Sequence, residues 1–292
     1  MDRGNNLPVS RINLSIKPVI VCVVKKEQKY IYEFINYHLL LGFTHIYIYD
    51  NEDEPTYEKQ LTPYFKDKIT VLHIPGGVEK HGLPIQYVIL RNFMRRNINS
   101  PKITHVAHID IDEFICLKKH DDIKDFINEY IKTDTNNVNC SAIGMHWRHF
   151  GSSGHETYKV EPNTQRFTNC QLECKTRTIK DLFYAKDVEL FLDVHHIHPY
   201  KYPRKTTSGE ILPPRSTADS KQVDYNVIQL NHYKSKTREE FYIIRQRGYA
   251  DRHPCEEDVE KNFREFDLNE TEDFTARDFY QKHNKLHIIK ND

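Results

Sequence analysis

An unbroken apolar run at Val19–Val24 constrains the fold of this chain more than any other feature. Continuous β-branched runs of this kind are typical of strands that are buried on both faces of a sheet. The apolar residues of 31–39 then recur at helical spacing, and Gly42 can end that helix. A second strand-like run follows at Thr44–Tyr49. This opening predicts parallel strands joined by a covering helix.

The same alternation continues as far as Phe114. A third strand is predicted at Ile69–Ile74, a helix from Pro84 to Asn97 and a fourth strand at Ile103–Ile109. This rhythm predicts an α/β fold with a mostly parallel central sheet flanked by helices. Ligands of such sheets bind where the strands reach their carboxyl ends, and an acidic segment follows two of these strands, at Asp50 and at Asp110.

The second half of the chain is organised differently. Strands are predicted at Ser141–Trp147, twice between 175 and 194, and near Tyr225–Leu230. A helix is predicted from Thr237, with Thr237 as its N-cap and Glu240 three residues later. The charged residues after Pro254 are predicted to be helical in pieces. This half therefore elaborates the sheet and does not form an independent domain.

Composition excludes several classes of protein. The chain has 42 Lys and Arg against 42 Asp and Glu, so its neutral charge gives no general attraction to nucleic acid or an anionic membrane. No segment approaches the ~20 apolar residues that a membrane span needs, and residues 1–18 lack the apolar core of a signal peptide. The six cysteines form no CxxC pair, which favours reduced thiols. We therefore expect a soluble, cytoplasmic protein.

Asp110 and Asp112 are the first candidates for chemistry. Residues two apart on an extended strand point the same way, so these carboxylates can hold one oxygen-seeking cation, Mn²⁺ or Mg²⁺. Such a cation would stabilise a departing nucleoside diphosphate. The alternative is an acidic strand end that faces water.

Asp50 is the second candidate. Its carboxylate can accept hydrogen bonds from a base or from ribose hydroxyls. The alternative is an ordinary turn formed by Asp50 and Asn51, since this pair is equally common at strand ends.

Several segments together resemble glycosyltransferase family 92. They are Val23–Glu27, Tyr32–His38, Leu41–Asp50, Gln86, His108–Phe114, Trp147–His155, Asn231–Lys236 and Arg247–Gly248. The resemblance covers residues 19 to 250, and the DIDEF and FGSSGH runs are its most specific parts. The segment after FGSSGH matches less well. Many family members carry an N-terminal membrane helix, which this chain lacks.

The resemblance implies an enzyme of the GT-A fold that transfers a sugar from a UDP-sugar to a glycan or another hydroxyl acceptor, with inversion, and galactose is the sugar that members of the family often transfer. Residues 1–18 would be a polar extension and 19–250 the transferase domain, made of a nucleotide-binding half (19–115) and an acceptor-side half (116–250). Residues 251–292 would form a charged helical tail.

The resemblance also implies roles for individual residues. His232 would complete a metal site with Asp110 and Asp112, and Lys234 or Lys236 would contact the diphosphate. The remaining donor-binding candidates are Lys25, Glu27, Asp50, Gln86, Gly151, Ser152, Ser153 and Gly154. The glycines of that loop would let the backbone approach the donor sugar.

An inverting transfer also needs a carboxylate that removes the acceptor proton. Glu156 is the first choice for this catalytic base, with Glu173 and Asp193 behind it, while Asp112 acts at the diphosphate.

Two alternatives stay open. The chain could be an inactive nucleotide-sugar-binding or glycan-binding module with the same fold, or a nucleotidyltransferase that uses a similar sheet and metal. A structural zinc at Cys170, Cys174, His195, His196 and His198 is disfavoured, because the spacing matches no standard pattern.

Overall fold

The computed structural model describes residues 15–173, 177–191, 195, 197–199, 201–213, 220–245 and 256–284. The first half contains β1 (Pro18–Val24), α1 (Ile31–Leu40), β2 (His45–Asp50), α2 (Tyr57–Phe65), β3 (Ile69–His73), α3 (Val78–His81), α4 (Ile85–Asn97), β4 (His105–His108), β5 (Glu113–Leu117) and α5 (Ile123–Tyr130). The second half contains β6 (Ala142–His149), α6 (Asn163–Arg166), β7 (Asn169–Cys170), β8 (Ile179–Tyr184), β9 (Val188–Phe191), β10 (Ile197–Pro199), β11 (Arg204–Lys205), β12 (Ile228–His232), α7 (Arg238–Arg245), α8 (Glu256–Phe266), β13 (Thr271–Glu272) and α9 (Thr275–His283).

Most of the strands form one central sheet. Its order is β3-β2-β1-β4-β8-β6-β12-β5, and β11 pairs with β6 beside this path. The pairs β2–β3, β1–β2, β1–β4, β6–β12 and β6–β11 are parallel. Strand β8 runs antiparallel to both of its neighbours, and β5 runs antiparallel to β12. The α/β fold with a mostly parallel sheet is therefore confirmed.

Strand β1 is buried on both faces, as its apolar run predicts. Val19 and Val21 pack with residues of α4 on one face. Ile20 and Cys22 pack with residues of α1 and α2 on the other. Successive side chains of a strand point to opposite faces, so a strand between two helical layers needs apolar residues at every position.

The start of α7 has the capping geometry that its sequence predicts. The Glu240 backbone N–H donates to Thr237 Oγ1 at 3.1 Å, and the Thr237 N–H donates to the Glu240 carboxylate at 3.3 Å. Glu240 also forms a buried ion pair with Arg166 at 2.8 Å. This pair joins the start of α7 to α6.

The described part of the C-terminal segment packs against the sheet. Strand β13 pairs with β7, and the Asp273 carboxylate accepts from Lys118 and from Arg148, each at 2.7 Å. Asn36 of α1 donates to the Tyr280 hydroxyl of α9 at 3.0 Å. Residues late in the chain thus contribute contacts to the core.

Two expectations about the whole chain can be compared with the described residues. Cys22, Cys116, Cys140 and Cys170 are buried free thiols, in agreement with the prediction. Within these residues, no helix has both the length and the apolar composition that a membrane crossing requires.

Two histidines in the core are held in the neutral state. His38 accepts from the Ile115 N–H at 3.3 Å through Nε2, and its Nδ1 donates to the Phe34 carbonyl at 2.8 Å. Burial lowers the pKa of His38 from 6.5 to about 3 and the pKa of His105 to about 4. Between these values and 6.5, the unfolded chain binds protons at both positions that the folded chain does not.

We therefore expect the free energy of unfolding to fall as the pH is lowered from about 6.5 to about 4. His38 contributes up to about 1.4 kcal/mol per pH unit in this window. Urea unfolding of the wild type and of His38→Gln at pH 7, 6 and 5 measures the effect, and the variant should show the shallower pH dependence. His73→Gln, at an exposed histidine, is the control. Equal slopes for His38→Gln and the wild type would contradict the prediction.

Candidate functional site

Asp110, Ile111 and Asp112 form a turn between β4 and β5. The sequence predicted an extended strand through these residues, and that local prediction was wrong, because β4 ends at His108. The Glu113 backbone N–H donates to the Asp110 carbonyl at 3.0 Å, and Glu113 Oε2 accepts from the Asp110 N–H at 2.8 Å. These two hydrogen bonds close the turn. Both aspartates remain at the carboxyl end of β4, with side chains 30% and 22% exposed.

The Asp110 carboxylate is held from both sides. Gln86 donates to Oδ1 at 2.7 Å, and the Lys180 ammonium donates to Oδ2 at 3.1 Å. Burial acts to raise the pKa of Asp110, but Lys180 and His108 together oppose it and the pKa lies below its ordinary value. Asp112, two residues away in the same turn, acts to raise this pKa. The turn thus carries both aspartates, and Gln86 reaches Asp110 from α4.

Lys180 and Glu113 belong to this cluster, although the sequence analysis missed them. Lys180 is 1% exposed, lies on β8 and reaches Glu113 Oε2 at 3.5 Å. Burial raises the pKa of Glu113, while Lys180 acts in the opposite direction. The available signal was the charged pair Lys180–Asp181 within the strand-like segment 179–184, since a charge in a buried strand needs a partner.

His232 lies beside Asp112 at the end of β12. Its Nε2 is 3.5 Å from Asp112 Oδ2, and the next backbone N–H, of Tyr233, donates to the Asp112 carbonyl at 2.8 Å. Burial lowers the pKa of His232, against the opposing effect of Asp112. The imidazole is therefore a neutral neighbour of the carboxylate. The structure thus places His232 beside Asp112, while a metal site at these residues stays a prediction.

Lys234 is close to this pair, whereas Lys236 is engaged elsewhere. The Lys234 ammonium lies 3.4 Å from the centroid of the Phe266 ring. Burial and, to a smaller extent, Arg245 lower the pKa of Lys234 to about 8, while Asp112 acts in the opposite direction. The Lys236 ammonium, by contrast, lies 4.4 Å over the ring of Tyr30 in a residue that is 1% exposed.

Asp50 forms a buried turn. Its carboxylate accepts the backbone N–H groups of Glu52, Thr56 and Tyr57 at 3.0, 2.7 and 3.0 Å, in a residue that is 1% exposed. These bonds match the turn-forming alternative weighed for this residue. They also satisfy donors at the start of α2.

Lys25 and Glu27, the neighbouring donor-binding candidates, follow the end of β1. The Lys25 ammonium is 3.8 Å from the Asp53 carboxylate. Glu27 is buried, and its backbone N–H donates to the Tyr57 hydroxyl at 2.8 Å. Both residues thus lie at the same edge of the sheet as Asp50.

The loop 151–154 is bound by the C-terminal segment. The Ser152 N–H donates to Asp267 at 2.6 Å, and the Ser153 N–H donates to Asn269 at 2.8 Å. A Cβ at Gly151 would lie 2.7 Å from the Leu268 carbonyl oxygen. Gly151 therefore allows the close approach of this chain's own segment, where the sequence predicted the approach of a donor sugar.

The carboxylates predicted as catalytic bases lie on the surface or outside the described residues. Glu156 is exposed, and its carbonyl accepts the Glu239 N–H at 3.3 Å near the start of α7. Glu173 is also exposed, and Asp193 falls outside the described part of the chain. Cys174, His196 and the pair Arg247–Gly248 fall outside it as well.

The donor set at the turn fits a hard cation with few protein ligands. Among the residues that the structure describes, no three His, Cys, Asp or Glu side chains are already arranged around a common metal position. Asp112 and His232 supply one carboxylate and one neutral imidazole 3.5 Å apart. Mg²⁺ is commonly held by one or two carboxylates together with phosphate oxygens and water, and imidazole also suits Mn²⁺.

A family model matches the first part of the chain. Residues 17–77, from the start of β1 to just beyond β3, match the model of glycosyltransferase family 92. This segment is similar to that family. The match supports a glycosyltransferase enzyme, and the matched segment contains Lys25, Glu27 and Asp50. No curated protein sequence matches the chain.

Two solved structures are distantly similar to this chain. One is 4-diphosphocytidyl-2C-methyl-D-erythritol synthase from Anaerococcus prevotii DSM 20548, at 10% identity and a TM-score of 0.31, with 60% of this chain and 73% of that chain covered. A second structure titled as the same synthase has 11% identity and a TM-score of 0.30, with 59% and 77% covered. Likeness at this level supports no statement about activity.

The contacts of Lys180 predict a large loss of stability when its charge is removed. Lys180→Met would leave the Asp110 carboxylate without its buried partner, and we expect a cost of about 3–5 kcal/mol in the free energy of unfolding. Urea denaturation followed by the fluorescence of Trp147 measures this, since the chain has a single tryptophan.

Two variants serve as controls for this prediction. Lys186→Met removes a lysine that is also 3.1 Å from a carboxylate, that of Asp134, but is 47% exposed, so it should cost no more than about 1 kcal/mol. Lys180→Met/Asp110→Asn removes both charges and should recover part of the loss. If Lys180→Met and Lys186→Met are equally stable, the buried pair of Lys180 and Asp110 does not stabilise the fold.

Proposed function

We propose that this protein is a metal-dependent glycosyltransferase that uses a UDP-sugar as donor. The observation that carries the proposal is the approach of His232 to Asp112, 3.5 Å apart, at the carboxyl end of β4. A carboxylate, a neutral imidazole and a nearby ammonium form a donor set suited to a divalent cation and a diphosphate.

Asp112 and His232 would hold the cation, Mn²⁺ or Mg²⁺. When bound, such a cation supplies positive charge where negative charge gathers on the departing diphosphate. Asp110 has a different task in this proposal, because Gln86 and Lys180 already bind both of its oxygens. It holds the turn in place, so that Asp112 is presented beside His232.

Lys234 would bind the diphosphate of the donor. Its ammonium is held over the Phe266 ring and near Asp112. Ammonium–phosphate hydrogen bonds are charge-assisted and strengthen where water is excluded. The nucleoside would then extend over the carboxyl ends of β1 and β2, where ligands of parallel sheets bind.

The transferred sugar, the acceptor and the stereochemistry are finer parts of the proposal. Galactose as the sugar, a glycan or another hydroxyl compound as the acceptor, and inversion rest on the family 92 resemblance. Inversion requires a carboxylate that takes the acceptor proton. Glu156 stays the sequence-based prediction for this base, on the exposed loop that follows Gly154.

Substitution of Asp112 tests the proposal. We expect Asp112→Asn to weaken UDP binding in the presence of Mn²⁺ at least tenfold, because the carboxylate that would neutralise the cation is lost. Isothermal titration calorimetry measures this with UDP, with and without Mn²⁺. The variant should also lose UDP release from a panel of UDP-sugars.

Asp121→Asn is the matched control, since Asp121 is 77% exposed and pairs with Lys282. It should bind UDP like the wild type. Metal-independent UDP binding, or unchanged binding by Asp112→Asn, would contradict the proposal. Release of pyrophosphate from a nucleoside triphosphate would instead show that the protein is a nucleotidyltransferase.

A further inference from the structure

Trp147, His149 and His232 share one face of the sheet beside Asp112. His149 is paired in register with His232 across the parallel strands β6 and β12, and Trp147 lies two residues before His149. Side chains in these positions point to the same side of a sheet. The ring centroid of His232 lies 4.4 Å from that of Trp147 and 5.1 Å from that of His149. His149 is therefore a direct neighbour of the proposed cation site.

His149 is buried with its polar atoms unused. The residue is 3% exposed, and within the described part of the chain neither ring nitrogen has a hydrogen-bond partner. Burial and, to a smaller extent, the neighbouring His232 lower the pKa of His149 to about 2, so the ring is neutral. Leaving a buried polar group without a partner destabilises the folded state. Phenylalanine would fill the same space without this cost, so a histidine here indicates a ligand.

The chemistry of His149 differs from that of its neighbours. Asp112, His232 and Lys234 supply the charged groups that suit a cation and a diphosphate. A neutral imidazole offers one donor and one acceptor, which is also what a sugar hydroxyl offers. Phe266, whose ring centroid is 5.6 Å from that of His149, covers it from a segment outside the sheet. The partly exposed Trp147 adds an aromatic surface at the same place.

We propose that His149 is a binding residue for the transferred sugar, and that it hydrogen-bonds a hydroxyl of the donor hexose beside the diphosphate. This inference rests on the proposed function and deepens it. Asp112 and His232 hold the charged part of the donor, and His149 recognises the uncharged part. A sugar that reaches His149 displaces the Phe266 ring from it.

Comparison of UDP with UDP-hexoses separates this role from packing. The dissociation constants of UDP, UDP-galactose and UDP-glucose are measured by calorimetry with Mn²⁺ for the wild type, His149→Phe and His149→Gln. We expect His149→Phe to bind UDP like the wild type. The UDP-hexose that the wild type binds more tightly should bind to this variant about 3- to 10-fold more weakly, which is the effect of one hydrogen bond. His149→Gln keeps a donor and an acceptor and should restore part of the loss.

The stability of the same variants provides a second readout. His149→Phe should unfold at the same or a higher urea concentration than the wild type, because two buried polar atoms are removed. If His149→Phe weakens the binding of UDP and of UDP-hexoses equally, or weakens neither, then His149 has only a packing role and the inference is overturned. If the wild type binds neither UDP nor a UDP-hexose, the proposed function fails as well.

Discussion

The buried ammonium of Lys180 organises the candidate site. It lies on β8, the strand that runs antiparallel to both of its neighbours, and it reaches Asp110 and Glu113 from beneath the turn. Two carboxylates that face each other across a tight turn would repel one another, and a cation fixed in the core removes that repulsion. Asp112, the other aspartate of the turn, is 22% exposed and lies beside His232. The turn is thus held in position by a residue that a ligand need not touch.

The C-terminal segment also holds part of the candidate site in place. Asp267 and Asn269 bind the backbone N–H groups of the loop 151–154, and Phe266 lies against both Lys234 and His149. A segment that lies far along the chain therefore forms one wall of the candidate site. Because these contacts come from side chains outside the sheet, movement of this segment would alter access to Lys234 and His149 while leaving the strands in place.

Local prediction succeeded where the pattern of apolar residues is regular. The elements β1, α1, β2, β3 and α4 lie within one or two residues of their predicted bounds, and the Thr237–Glu240 cap has its expected bonds. It failed at Asp110, where the expected strand is a turn, because Glu113 folds back on the Asp110 backbone. At Gly151 the structure shows the approach of the C-terminal segment, which the sequence did not predict, since a sequence does not reveal which segment a glycine admits. The donor-sugar role of Gly151 stays a prediction.

The sequence by itself determined the α/β class, the buried first strand and the placement of acidic residues after β2 and β4. Each follows from short-range periodicity, which is imposed by the geometry of strands and helices. Only the tertiary structure decided that Lys180, seventy residues after Asp110, pairs with it, and that His149 lies beside His232. Such contacts depend on strand order and register. Those are settled by the packing of the whole sheet, so no local pattern of residues encodes them.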